Sequence, residues 1–251
     1  MMFVGTAVIL LGGRSMALLS EALIIMPSLV FVWRFKIPFL RVFRLNRING
    51  AIFVYTVILS LSVFVISDAL DRFVGNLFPM PAEWLDAMKE LVHIDTPLQA
   101  ALLFVSAVLI AGFAEEMLFR GMLQRTLEIY REPAIAIVLS SVFFAVAHFN
   151  PWTALQITFL GLALGYLTWK SDSILPGVFL HATNNLLSIV FMNTSEASLT
   201  WYGTEKQVNM IWLFLAFAVI APMFVLFNRA CEEKKAADRQ RESLLGEHHE
   251  E

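Results

Sequence analysis

Residues 98–122 read LQAALLFVSAVLIAGFAEEMLFRGM, a long apolar run broken by Glu115, Glu116 and Arg120. About 20 consecutive apolar residues suffice for a helix to cross the hydrocarbon of a bilayer. Within such a helix, a Glu or Arg near the centre costs roughly 2.5 to 3.5 kcal/mol on an insertion scale. Anchoring requires no such residues, so they mark a buried polar site. Residues four apart share a helix face, whereas neighbours point about 100° apart. Glu116 is therefore expected to pair with Arg120 as scaffold, leaving Glu115 to face a cavity.

Further apolar stretches flank this one: Met16 to Trp33, Ala51 to Leu70, Ala134 to Phe149, Thr153 to Trp169, Ile174 to Met192 and Val208 to Phe227. With Leu98 to Met122 they make seven expected spans in a chain of 251 residues that is 58% hydrophobic and 16% charged. The predicted fold is an all-α, polytopic transmembrane helix bundle with the catalytic site inside the bundle. Three parts are expected: residues 1–97 with the first helices and an external loop, 98–192 as catalytic core, and 193–251 as the last span and a charged tail. Met1 to Gly12 is too short to span; it extends the first helix or lies at the interface, and no basic leader marks it as a signal peptide.

The net charge of −3 and the mixed signs of the tail exclude a nucleic-acid partner. A single cysteine, Cys231, excludes an internal disulfide and reads as an exposed thiol on a reducing side. Arg34, Lys36, Arg41, Arg44 and Arg47 crowd the first connection, where they are expected to meet anionic lipid head groups. Asp71, Glu83, Asp86, Glu90 and Asp95 fill the next. The positive-inside rule then places the N-terminus outside and the C-terminus in the cytoplasm. Asn150 followed by Pro151 reads as an N-cap and first helical residue, and Pro79 and Pro81 break the external loop. The tail from Ala230 is expected to be a solvated helix or disordered, with His248 and His249 facing solvent.

Depth ties the polar residues together. The turn near Glu132 lies seventeen positions after Glu115 and sixteen before His148, so at about 1.5 Å per residue both lie roughly 24 to 26 Å along their helices. Measured from Arg125 as the cytoplasmic boundary, Glu115 is roughly 15 Å deep, and His181, nine residues beyond Asp172, is roughly 14 Å deep by the same rise. Three helices thus deliver polar groups to one level. A carboxylate beside an imidazole suits general-base activation of water, and His181 with Asn185, on one face, suits donation to an oxyanion. Phe144 reads as packing, and Gly161 with Gly165 as a close helix contact. Glu21 near Pro27 reads as a local structural feature.

In order, EEMLFR at 115–120, FAVAH at 144–148, FLGLALG at 159–165 and HATNN at 181–185 resemble the motifs of the CAAX protease and bacteriocin-processing (Abi) family of intramembrane proteases, and the chain looks like its short prokaryotic members. The resemblance covers roughly Leu98 to Met192. It implies peptide-bond hydrolysis of a membrane-associated protein or peptide within a plasma membrane, at a site open to the cytoplasm and sideways to the bilayer. Glu115 would be the general base, His148 would bind and polarise the water, His181 and Asn185 would stabilise the oxyanion, and Glu116 and Arg120 would hold the site. The family has been described both as metal-free glutamate proteases and as metalloproteases. Asn185, a poor zinc ligand and a good oxyanion donor, favours the reading without a cofactor. The alternative is zinc on Glu115, His148 and His181, although the compact HExxH pattern is lacking. A non-catalytic interaction or immunity protein of the same family, and a proton-coupled transporter, are the other functional classes; the absence of an internal repeat speaks against transport.

Overall fold

The computed structural model describes residues 15–247, with side chains described over residues 25–244. In chain order come α1 (Ser15–Arg34), α2 (Phe39–Val42), α3 (Gly50–Leu77), α4 (Ala82–Val92), α5 (Pro97–Tyr130), α6 (Pro133–Val146), α7 (Ala154–Ser171), α8 (Leu175–Met192) and α9 (Met210–Glu247). A small antiparallel hairpin of β1 (Gly203–Thr204) and β2 (Gln207–Val208) precedes α9 and pairs Gly203 with Val208. The readings made for Met1 to Gly12, for the Glu21 side chain and for His248 and His249 lie outside the described residues.

Every stretch expected to span is helical, and the chain is an integral membrane protein with an all-helical bundle. Among the described residues, four helices are long and apolar enough to cross a membrane: Gly50–Leu77, Pro97–Tyr130, Leu175–Met192 and Met210–Leu244. Others are shorter. Helix α6 ends at Val146 because Phe149 takes left-handed backbone, φ 50°, and turns the chain directly after His148. Its 14 residues reach only about 21 Å, less than a typical hydrocarbon core.

Local chemistry sets several boundaries. Asn49 caps α3 by accepting from the Ile52 amide at 2.9 Å. Thr96 and Gln99 form a capping box ahead of α5, with Pro97 at its first position. Asn150 behaves differently from the expected N-cap: its side chain accepts from the Trp152 amide at 3.1 Å, and α7 starts only at Ala154. Pro151 therefore lies in a turn closed by Asn150 and outside the helix. Nor is the connection after α3 all loop. Pro81 precedes the amphipathic α4, whose end is tied to Asn193 beyond α8, with Asn193 donating to the Val92 carbonyl at 2.8 Å.

Helix α3 packs against α7, α8 and α9, and α6 packs against α7. Ile52, Leu59, Phe119, Phe144, Leu164, Leu180 and Phe227 form the main core. Cys231 belongs to that core and is 1% exposed, contrary to the exposed thiol expected from its charged neighbours. Helix α9 continues unbroken past the apolar stretch, so one face of its polar extension still lies against the bundle.

The basic connection is also more internal than expected. Arg44, left-handed at φ 49°, is buried and forks onto both carboxylate oxygens of Glu128 at the end of α5. Its Nε lies 3.2 Å from Asp172, in the turn between α7 and α8. The Arg125 guanidinium donates to the Arg41 carbonyl at 2.6 Å. Arg44 thus clasps three segments of the protein instead of meeting lipid head groups, whereas Arg34, Lys36, Arg41 and Arg47 remain exposed.

Glycines set how closely α7 approaches. A Cβ on Gly161 would lie 2.9 Å from the Ser141 Cβ on α6, and one on Gly165 would lie 2.8 Å from Gln124 Oε1. This is the close helix contact expected of the pair. Gly161→Val should destabilise the protein by about 2 kcal/mol through overpacking, which a thermal melt in detergent would record; an unchanged Tm would refute the contact.

Candidate active site

Helix α5 carries the acidic pair on unusual backbone. Its α-helical segments Pro97–Leu103, Ala111–Glu116 and Arg125–Tyr130 are separated by π-helical turns at Phe104–Ile110 and Met117–Gln124. Such turns widen the helix and recur at functional sites. Glu115 and Glu116 thus sit on one ordinary α turn between two widened ones. Glu115 is 4% exposed, and Glu116 and Arg120 are fully buried.

Both terminal nitrogens of Arg120 are hydrogen-bonded, whereas its buried Nε has no hydrogen-bond partner. Arg120 donates to Glu116 Oε1 at 3.0 Å and to the Gly161 carbonyl at 3.2 Å. Its guanidinium carbon lies 4.2 Å from the centre of the Phe144 ring. One turn later, Gln124 repeats the pattern and donates to the Gly165 carbonyl at 3.1 Å. The two glycines on α7 therefore offer carbonyl acceptors as well as room, since without side chains their carbonyls can be approached closely.

Helix α8 brings His181 between the glutamates. Its Nδ1 is 3.1 Å from Glu116 Oε1 and its Nε2 is 3.7 Å from Glu115 Oε2. A carboxylate only accepts, so Nδ1–H donates to Glu116 and Nε2 is the atom turned to Glu115. The His148 Nδ1 lies 2.6 Å from the Phe144 carbonyl, to which it donates, leaving its Nε2 with a lone pair.

Phe144 does more than fill space. Its ring packs on His148 and His181, with centroids 4.7 and 5.6 Å apart, while Arg120 covers its face. It is the shared wall of the site. Its position one turn before His148 is the only sequence signal for that role. Asn185, half-buried, donates through Nδ2 to the Ala107 carbonyl at 2.8 Å, in the first π-helical turn of α5. An Asn amide has two N–H groups, so one is anchored and the other is available to a ligand. Glu115, Glu116, Arg120, His181 and Phe144 are thus in one cluster, His148 borders it across Phe144, and Asn185 lies one turn along α8 from His181.

Among the described residues, no group of three or more His, Cys, Asp or Glu side chains is placed to hold a metal ion. His148 uses Nδ1 on a backbone carbonyl and His181 uses Nδ1 on Glu116, which leaves the Nε2 atom of each ring for other partners.

Residues 97–187 match the family model described as type II CAAX prenyl endopeptidase Rce1-like. No curated protein and no solved structure matches the chain.

Proposed function

We propose that this chain, an integral membrane protein whose residues 97–187 belong to the Rce1-like CAAX endopeptidase family, is a glutamate-dependent intramembrane endopeptidase acting on a membrane-associated protein or peptide. The observation that carries the reading is the division of labour between neighbouring carboxylates. Glu116 is occupied by Arg120 and His181, while Glu115 faces His181 Nε2 with His148 nearby.

In this mechanism a water donates one hydrogen bond to Glu115 and the other to His148 Nε2. Glu115 takes a proton from the water as its oxygen attacks the scissile carbonyl carbon. The negative charge moves to the carbonyl oxygen, where the second N–H of Asn185 and, in the doubly protonated ring, His181 Nε2–H stabilise it. As the C–N bond breaks, Glu115 returns the proton to the leaving nitrogen. One product leaves as an amine and the other as a carboxylic acid. Glu116 and Arg120 do not touch the reacting atoms; they set the position of His181 and of α7. No step passes through a metal. The basic ends of α1, α5 and α7 lie on the cytoplasmic side in this reading, with the N-terminus outside and the C-terminus cytoplasmic.

Comparison of membrane-protein C-termini and released peptides by mass spectrometry, in cells expressing wild type or Glu115→Gln at matched levels, tests the activity and finds the substrate. Peptides produced by wild type alone establish proteolysis, and identical profiles favour a non-catalytic interaction role. The purified protein should also retain full activity on a fluorogenic peptide ending in a farnesylated CAAX sequence after exhaustive chelation. Loss of activity restored by one specific divalent metal would overturn the metal-free mechanism.

A further inference from the structure

The hydroxyl of Thr168 departs from the pattern of its neighbours. Thr56, Thr126, Thr158 and Thr183 turn their hydroxyls back to the carbonyl four residues earlier, at 2.7, 2.7, 2.8 and 2.8 Å. Thr168, fully buried on α7, makes no such bond, and its Oγ1 has no hydrogen-bond partner. It lies three residues after Gly165 and seven after Gly161, so it continues the face that receives Arg120 and Gln124.

Glu116 shows the complementary feature. Its Oε1 accepts from both Arg120 and His181, whereas its Oε2, equally buried, has no partner. The two oxygens converge on Gly177, near the start of α8. A Cβ on Gly177 would lie 2.8 Å from Glu116 Oε2 and 3.0 Å from Thr168 Oγ1. Glycine alone leaves that space open. A carboxylate can only accept and a hydroxyl can donate, and leaving either unsatisfied away from water is costly.

We propose that Thr168 is a positioning residue: its Oγ1–H is linked to Glu116 Oε2 through one water in the space kept open by Gly177, and so locks the carboxylate that holds Arg120 and His181. The effect on turnover rests on the proteolytic reading above. The link itself rests on the buried geometry.

The test is a thermal double-mutant cycle on the full chain in detergent, using Thr168→Val and Gly177→Ala, with kcat and KM measured on the farnesylated fluorogenic peptide. Thr168→Val keeps the shape and removes the hydroxyl, and Tm should fall by about 3 °C. Gly177→Ala wedges the same contact apart, so the double variant should lose clearly less than the sum of the two single losses. Thr168→Ser, which keeps the donor, should regain most of the Val loss. Turnover should fall about tenfold in kcat for Thr168→Val with little change in KM, as a displaced His181 predicts. Additive Tm losses, or a Ser variant no better than Val, overturn the proposal. If Gly177→Ala does not fold, the comparison of Val with Ser decides alone. A coupled cycle in a protein that cleaves no peptide would sink the proteolytic reading and leave the Thr168 link standing; an additive cycle in an active enzyme would do the reverse.

Discussion

Glu115→Gln is expected to lower kcat by about 10³-fold, roughly 4 kcal/mol of transition-state stabilisation, while the protein stays folded. The substitution preserves the shape of the side chain and removes its capacity to take a proton. Glu115 is 4% exposed and faces His181 Nε2 at 3.7 Å, so the amide has room to replace the carboxylate without opening a cavity. Arg120 and His181 Nδ1 both bind Glu116, so those two contacts survive the substitution. The paired measurement is peptide cleavage together with a thermal melt. A Gln variant that melts like wild type and cleaves nothing supports the general-base role. One that retains activity within tenfold transfers that role elsewhere, and one that fails to fold makes Glu115 a structural residue.

Arg120→Ala should produce the largest loss of stability, about 3–5 kcal/mol, the usual cost of stripping one partner from a buried ion pair. The substitution leaves Glu116 buried without its cation and the Gly161 carbonyl without its donor, and it uncovers the face of Phe144. Arg120→Lys should recover only part of the loss, since an ammonium is a point charge and cannot fork between a carboxylate and a carbonyl. Replacing both partners together, as in Glu116→Gln with Arg120→Met, should cost less than Arg120→Ala alone because no uncompensated charge remains. Equal melting of Arg120→Ala and wild type in detergent would remove the scaffold assignment for the pair.

The pairing of Glu116 with Arg120 is legible in the chain itself. Helical spacing alone sets Glu116 against Arg120 and turns Glu115 to another face. Insertion cost explains why such residues are conspicuous in an apolar run, and matching depth explains why three helices can be connected from the chain alone. The apolar stretches were equally legible, since seven of them are helices in the structure. Their capacity to span was less so: α6 is cut short where Phe149 turns left-handed, a local backbone choice that hydropathy does not encode.

Other parts of the site depend on contacts between distant residues. Phe144 read as packing, and packing it is, but nothing along the chain reveals that the same ring serves Arg120, His148 and His181 at once. Gly161 and Gly165 announced a close approach through their spacing, whereas their carbonyls as acceptors for Arg120 and Gln124 did not. Arg44 read as a lipid-facing cation because its neighbours are basic; the carboxylates that bury it, Glu128 and Asp172, lie on other helices. Cys231 misled in the same way, with charged residues beside it in sequence and the core beside it in space.

By itself, then, the sequence determined the helical bundle, the burial of polar groups within it and the pairing of Glu116 with Arg120, because periodicity and desolvation act over one or two helical turns. Only the tertiary structure decided which atom of each histidine is free, which carbonyls receive Arg120 and Gln124, and that Thr168 and Glu116 converge on Gly177. Those outcomes depend on how closely and at what rotation separate helices meet, which no local pattern specifies.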